Sequence, residues 1–280
     1  MQLIESFICG KENNPCTCED GLFISERYVA VIDGVTAKGN RLWNNKTSGA
    51  FAKDILIDYL QTLSFNDNQT DQHHTFSAID ILNRLDRVIR ENIEKQVSEP
   101  LTLEEYPRAS IILYDDLRKE IISYGDCQCR INDVIHTHTK KIDEQNASLR
   151  AYHLEHALLQ GRTFDELKRN DIGRTAIQEQ LLMQFSFENK IGPFGYPVLN
   201  GTGIEPAFIQ TYPVTPGDEI ILASDGYPTL EKNLEETEQT LKHILEKDPL
   251  CFQLFPSTKG VKEGNVSFDD RTYCRIKVTP

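Results

Sequence analysis

Two short stretches each place a carboxylate at the end of an apolar run. In "EIILASDGYP" (residues 219–228) and "RYVAVIDGVT" (27–36), a strand-like segment stops on Asp-Gly, at Asp225-Gly226 and Asp33-Gly34. Asp-Gly between two strands usually marks a tight hairpin turn. Here a helical pattern follows instead, "LEKNLEETEQTLKHILEKD" after the one and "SGAFAKDILIDYLQTL" after the other. Each strand would therefore present a carboxylate at its C-terminal end. Further acids fall at strand ends: Glu19-Asp20, Asp126 and Asp269-Asp270. Singly, an aspartate beside a glycine is most often a turn residue. Crowded at one sheet edge, such carboxylates would repel one another without a cation. Ligation by oxygen alone is the chemistry of Mg²⁺ or Mn²⁺ rather than of zinc.

The elements that must position these acids can be read from periodicity. "GLFISERYVAVID" is a strand, a short turn and a second strand. A helix is expected over about Ser48–Leu63, with Phe51, Ile55, Tyr59 and Leu63 at helical spacing. The polar "NDNQTDQHH" (66–74) reads as a loop, and a second helix over about 76–95 carries Leu82, Leu85, Ile89 and Ile93 on one face. "ASIILYDDLRKEIISYGD" is a hairpin turning around Asp115–Arg118, and "VIHTHT" a further strand. Residues 143–187 are mostly helical in pattern, followed by the glycine- and proline-punctuated loop "NKIGPFGYPVLNGTGIEP". Strands resume in "AFIQTYPVTPGDEIILAS". In the terminal "DDRTYCRIKV", Thr272, Cys274, Ile276 and Val278 alternate with Arg271, Tyr273, Arg275 and Lys277, the pattern of a strand buried on one face. Strand pairs, then helices, then strands again imply antiparallel sheets covered by helices, an α+β arrangement. No proline- or glycine-rich linker divides the chain, so one domain over 1–280 is expected.

Composition narrows the function classes. At 280 residues, with 26% charged and 39% hydrophobic residues, the chain is an ordinary globular sequence with enough length for a sizeable core. Its formal net charge of −13 would repel nucleic-acid backbones and anionic membranes. There is no apolar run near the roughly 20 residues that span a bilayer, and no basic, apolar leader at the N-terminus, so the cytoplasm is the expected location. The seven cysteines are odd in number and lack CxxC spacing, which argues against a disulfide framework. The CxC pairs Cys16/Cys18 and Cys127/Cys129 read as small buried residues on strands rather than zinc ligands. His136, His138, His153 and His156 read as surface or packing histidines, with no partner set for a metal nearby in sequence.

In order along the chain, "CEDGLF", "YVAVIDGVT", "ASIILY…ISYGD", "ILASDGYPTL" and "FDDRTYCRI" resemble the motifs of the metal-dependent type 2C (PPM-type) Ser/Thr protein phosphatases, in a bacterial-like form. The resemblance implies a four-layer α-β-β-α sandwich with metals at one edge between the sheets. It implies two Mg²⁺ or Mn²⁺ ions, and possibly a third. Asp33 would bridge two of them, the Gly34 carbonyl would contact one, and Asp225 and Asp269 would complete the coordination. Glu19 and Asp20 would ligate directly or through water, and Asp126 would help hold the third ion. The implied reaction is hydrolysis of phosphoserine or phosphothreonine in a protein partner by a metal-activated water, with Asp33, Asp225 and Asp269 as the catalytic acids. In keeping with this, the sequence holds no CxxxxxR loop, no GxSxG elbow and no P-loop.

Some positions depart from the family pattern. Where many members carry a phosphate-binding arginine, four residues before Glu19, this chain has Pro15, leaving Lys11, Lys38 or Arg41 as substitutes. The histidine that often follows the first Asp-Gly is Val35, and the Ser-Arg that often follows the central Gly-Asp is Cys127-Gln128. The segment of about 143–200, where relatives carry a flap, is the expected specificity element. Two alternatives follow from these departures: a pseudophosphatase that binds a phosphoprotein without turnover, and a phosphatase for a small phosphorylated metabolite.

Overall fold

The computed structural model describes residues 1–69 and 75–280. Its strands in chain order are β1 (Gln2–Cys9), β2 (Asp20–Ile24), β3 (Tyr28–Gly34), β4 (Ala109–Asp115), β5 (Glu120–Tyr124), β6 (Gln128–Ile131), β7 (Val134–His136), β8 (Gln210–Pro213), β9 (Glu219–Ala223) and β10 (Arg271–Lys277). The α-helices are α1 (Ser48–Gln69), α2 (Ala78–Gln96), α3 (Lys141–Leu159), α4 (Phe164–Arg169), α5 (Ile172–Ala176), α6 (Gln178–Met183) and α7 (Leu234–Lys247). The strands form two five-stranded sheets, ordered β1-β10-β9-β6-β7 and β2-β3-β4-β5-β8. Every pairing is antiparallel.

The layers follow from the two faces of each strand. On β3, Val29 and Val31 face the other sheet, where they join Ile112 and Tyr114 of β4, Ile220 and Leu222 of β9, and Cys274 and Ile276 of β10. The intervening Ala30 and Ile32 face outward and pack with Leu56 and Leu60 of α1 and Leu82, Leu85 and Ile89 of α2. On the far side, Ile221, Ala223 and Tyr273 pack under Leu241 of α7. This is the α-β-β-α sandwich expected from the sequence.

Three local readings need correction. α1 continues to Gln69, through the first residues of the stretch read as a polar loop; residues 70–74 of that stretch lie outside the described residues. The apolar periodicity stops near Leu63, but a helix end needs no buried stripe to continue for another turn. On β10, Arg271 and Tyr273 are buried as well as Thr272, Cys274 and Ile276. The α7 layer covers their face, and Arg271 is paired there with Glu238 at 2.7 and 2.9 Å. Cys16 lies on a 3₁₀ turn, Pro15–Thr17, and is exposed, whereas Cys127 and Cys129 are buried in the inter-sheet core. No helix among the described residues is long and apolar enough to cross a membrane.

Candidate active site

At one end of the sandwich the strand ends converge. Asp33 lies opposite Asp20 on β2 and opposite Ser110 on β4. Ser110 Oγ donates to Asp126 Oδ1 at 2.5 Å, which ties the acid after β5 to the same edge. From the other sheet, Asp225 follows β9, and Asp269-Asp270 immediately precede β10. Thr272 N donates to Ser224 Oγ (2.9 Å) within one sheet, and Thr272 Oγ1 donates to Asp20 Oδ2 (3.0 Å) on the other, joining the two sheets beside the site. Asp270 works as a clamp: its carboxylate accepts from Lys11 N at 2.7 Å and from Glu19 N at 2.9 Å.

The two Asp-Gly glycines are required by close approach. A Cβ on Gly34 would sit 2.6 Å from Glu19 O and closer still to Gly49 O, while a Cβ on Gly226 would overlap Asp270 O. Only a residue without a side chain lets the chain leave each aspartate past the neighbouring backbone.

Asp33, Asp126, Asp225 and Asp269 line one cavity of about 250 Å³, roofed by residues from α3, α5 and α6. Glu19 and Asp20 stand behind it, buried, and reach it through their neighbours. The structure thus brings together the acids singled out from the sequence. The substitute cations do not share one fate. Lys38 lines the cavity, donating to Thr36 O at 3.0 Å. Lys11 is held among the acids, 3.3 Å from Glu19 and 3.1 Å from Asp270. Arg41 stacks over Trp43 at 5.0 Å and pairs with Glu105 at 3.6 Å, away from the cavity.

Residues not assigned to the site from the sequence also reach it. Lys140 pairs with Asp126 at 2.5 Å, and Lys259 pairs with Asp269. Arg174, donating to Thr258 O at 2.8 Å, lines the cavity, as do Asp143 and His138, the latter 2.7 Å from the Tyr212 hydroxyl. His138 is therefore a cavity residue and not a surface one. Lys140 and Lys259 reach their acids across intervening strands or loops, with no helix or strand period joining either pair, so spacing carries no signal of them.

The electrostatics divide the acids into two groups. Burial, then the charges of Asp225, Asp20, Asp126 and Asp269, push Asp33 well above the usual carboxylate range. Burial, then Asp269 and Asp126, do the same to Asp225. Burial also raises Asp269 and Asp126, but Lys259 and Lys11 reverse this for the first, and Lys140 for the second, leaving both below the ordinary value. Burial and the neighbouring charges of Arg174 and Lys259 bring Lys38 down to about 7.

This division decides how the residues fit a metal. As the side chains are arranged, no three His, Cys, Asp or Glu among the described residues form a ready-made ion cage. Several of the carboxylates hold lysine ammonium groups instead. Among the described residues, however, no ion pair or hydrogen bond engages the carboxylate of Asp33 or of Asp225, and both face the cavity. Two mutually repelling, unpaired oxygen donors fit a hard divalent cation.

The fold extends the likeness to known proteins. Over 100% of both chains the structure resembles the serine/threonine phosphatase PstP/Ppp of Mycobacterium tuberculosis, with a TM-score of 0.52 and 15% identity. It resembles Stp1, a serine/threonine phosphatase of Staphylococcus aureus, over 100% of this chain and 96% of that one, with a TM-score of 0.52 and 14% identity. A bacterial serine phosphatase matches with a TM-score of 0.50 and 14% identity over 98% and 96% of the two chains. No protein-family model and no curated protein matches the sequence. The chain has the fold of the PPM-type Ser/Thr phosphatases, as its five ordered motifs implied.

Proposed function

We propose that the chain is a divalent-cation-dependent phosphoric monoester hydrolase of the cytoplasm, acting on phosphoserine or phosphothreonine in proteins. The observation that carries this reading is the unpaired Asp33–Asp225 couple, delivered to one cavity by strands of two different sheets. Asp33, Asp225 and Asp269 would hold Mg²⁺ or Mn²⁺, with the Gly34 carbonyl, Glu19, Asp20 and Asp126 as further ligands directly or through water. Bound there, such an ion supplies an acidified water and neutralises charge on phosphoryl oxygens. The remaining work falls to the protein. Lys38 and Arg174, on the cavity wall, would orient the phosphate in place of the arginine that Pro15 replaces. Burial, then the charges of Arg174 and Lys259, disfavour the ammonium form of Lys38, and an arriving phosphate dianion would favour it. The helices over the cavity would exclude water from the approaching ester.

A second reading is favoured by the lysines on Asp126 and Asp269: a phosphoprotein-binding module without turnover. Hydrolysis of p-nitrophenyl phosphate and of a phosphothreonine peptide, each in EDTA, Mg²⁺ or Mn²⁺ beside Asp225→Ala, separates the two. The enzyme reading expects cation-dependent turnover that Asp225→Ala abolishes. Absence of turnover in every cation, with the phosphopeptide still bound, would establish the module.

A further inference from the structure

We propose that Lys11, Lys140 and Lys259 are resident counterions of the carboxylate cluster, so that the site takes one divalent cation, on the Asp33–Asp225 couple, in place of two or three. The inference rests on the cation-dependent reading above and narrows its ligand set to Asp33 and Asp225, with Asp269, Asp126 and Glu19 held by lysine instead.

Each lysine enters from a different segment, and Lys11 and Lys259 converge on Asp269 while Lys140 takes Asp126. Lys11, between β1 and β2, lies 3.3 Å from Glu19, 3.1 Å from Asp270 and 3.7 Å from Asp269. Lys140, just before α3, meets Asp126, and Lys259, beyond α7, meets Asp269. The side chains are largely buried, 18%, 13% and 26% exposed respectively. These are not surface lysines that have folded inward.

Their backbones are fixed as well. Lys11 N donates to Asp270 at 2.7 Å, and its carbonyl accepts from Val266 N at 2.8 Å. The Lys140 carbonyl accepts from Asp143 N and Glu144 N at 2.9 and 3.1 Å in the first turn of α3, and its ammonium lies 5.2 Å from the Tyr196 ring centre. Next to Lys259, a Cβ on Gly260 would come within 2.7 Å of Leu250 O, so that loop is packed against its neighbour.

An ammonium group carries a full charge and three donors, enough to neutralise one carboxylate and hydrogen-bond another. A divalent ion entering beside it meets repulsion, and must also expel a paired, desolvated lysine. The lysines therefore protect Asp126, Asp269, Asp270 and Glu19 from metal, while the carboxylates of Asp33 and Asp225 take no direct ion pair from them. The resulting site is mononuclear.

Mn²⁺ titrated into the metal-stripped protein tests this, read by calorimetric stoichiometry and by low-temperature electron paramagnetic resonance. The expected result is one Mn²⁺ per chain with the signal of an isolated ion. Lys259→Met, which keeps the volume and removes the charge, should admit a second Mn²⁺ or tighten binding at least tenfold. Lys140→Met provides the same test should the first variant not fold. Two exchange-coupled Mn²⁺ ions in the wild type would overturn the proposal and leave the phosphatase reading standing. No Mn²⁺ bound by the wild type or by either variant would overturn both.

Discussion

The strand pair β3–β4 carries a carboxylate at each end, and the two are treated in opposite ways. At one end Asp115, opposite Tyr28, is fully buried. It receives Arg27 Nε and Nη2, both at 2.9 Å, and Leu117 N at 3.0 Å. At the other end Asp33 faces the cavity among other acids, and no such partner engages it among the described residues. The chemistry is the same; Asp115 is sealed inside the fold with its partners, whereas Asp33 is half-buried and open to the cavity. A carboxylate that serves the fold is satisfied within the fold, because an unpaired buried charge is costly. One left unsatisfied in a cavity marks a place where something else is to bind.

The widest breach of this comparison would come from Asp33→Asn. It should reduce cation-dependent hydrolysis by at least about 10²-fold, on the scale of losing one charge-stabilising group, while the thermal melt without metal is unchanged or rises as repulsion is relieved. Steady-state assays and a melting curve check it. Asp115→Ala should do the reverse. It removes the buried acceptor of Arg27 Nε, Arg27 Nη2 and Leu117 N and should cost about 3–5 kcal/mol in urea unfolding, with activity per folded molecule retained. Between the two lies Gly34→Ala, which touches fold and site together. The backbone would have to shift away from Glu19 O and Gly49 O, at roughly 1–3 kcal/mol by the usual cost of overpacking, and activity should fall with it. Smallest is Ser77→Ala, which removes the hydroxyl that caps α2 by accepting from Asp80 N at 3.3 Å. About 1 kcal/mol of stability should be lost with no change in kcat, showing that a mild loss of stability does not by itself silence the site.

Much of the frame was legible because strands announce themselves by alternation and the acids fall at their ends. The strand in "RYVAVID" could be read from its apolar run, but not which of Val29, Ala30, Val31 and Ile32 meet the helices and which the other sheet. Asp33, Asp126, Asp225 and Asp269 could be grouped because each follows or precedes a recognisable strand. Lys140, Lys259 and Arg174 could not. A lysine in "HTHTKK" or "PSTKGV" looks like any solvated residue, and only the packing of distant segments shows that its ammonium is directed at an acid. Arg271 and Tyr273 were misread as an open face for a related reason. The strand pattern records alternation, but the layer that α7 adds over it is a long-range contact.

The most direct test of the account is a pair of melting curves, wild type and Asp33→Asn, each in EDTA and in excess Mn²⁺. A cation bound only by the folded site raises the melting temperature by mass action. The account predicts a rise with Mn²⁺ in the wild type and none in Asp33→Asn. An equal rise in both would contradict it, since the cation would then be held elsewhere and the unpaired aspartate would not mark the binding site.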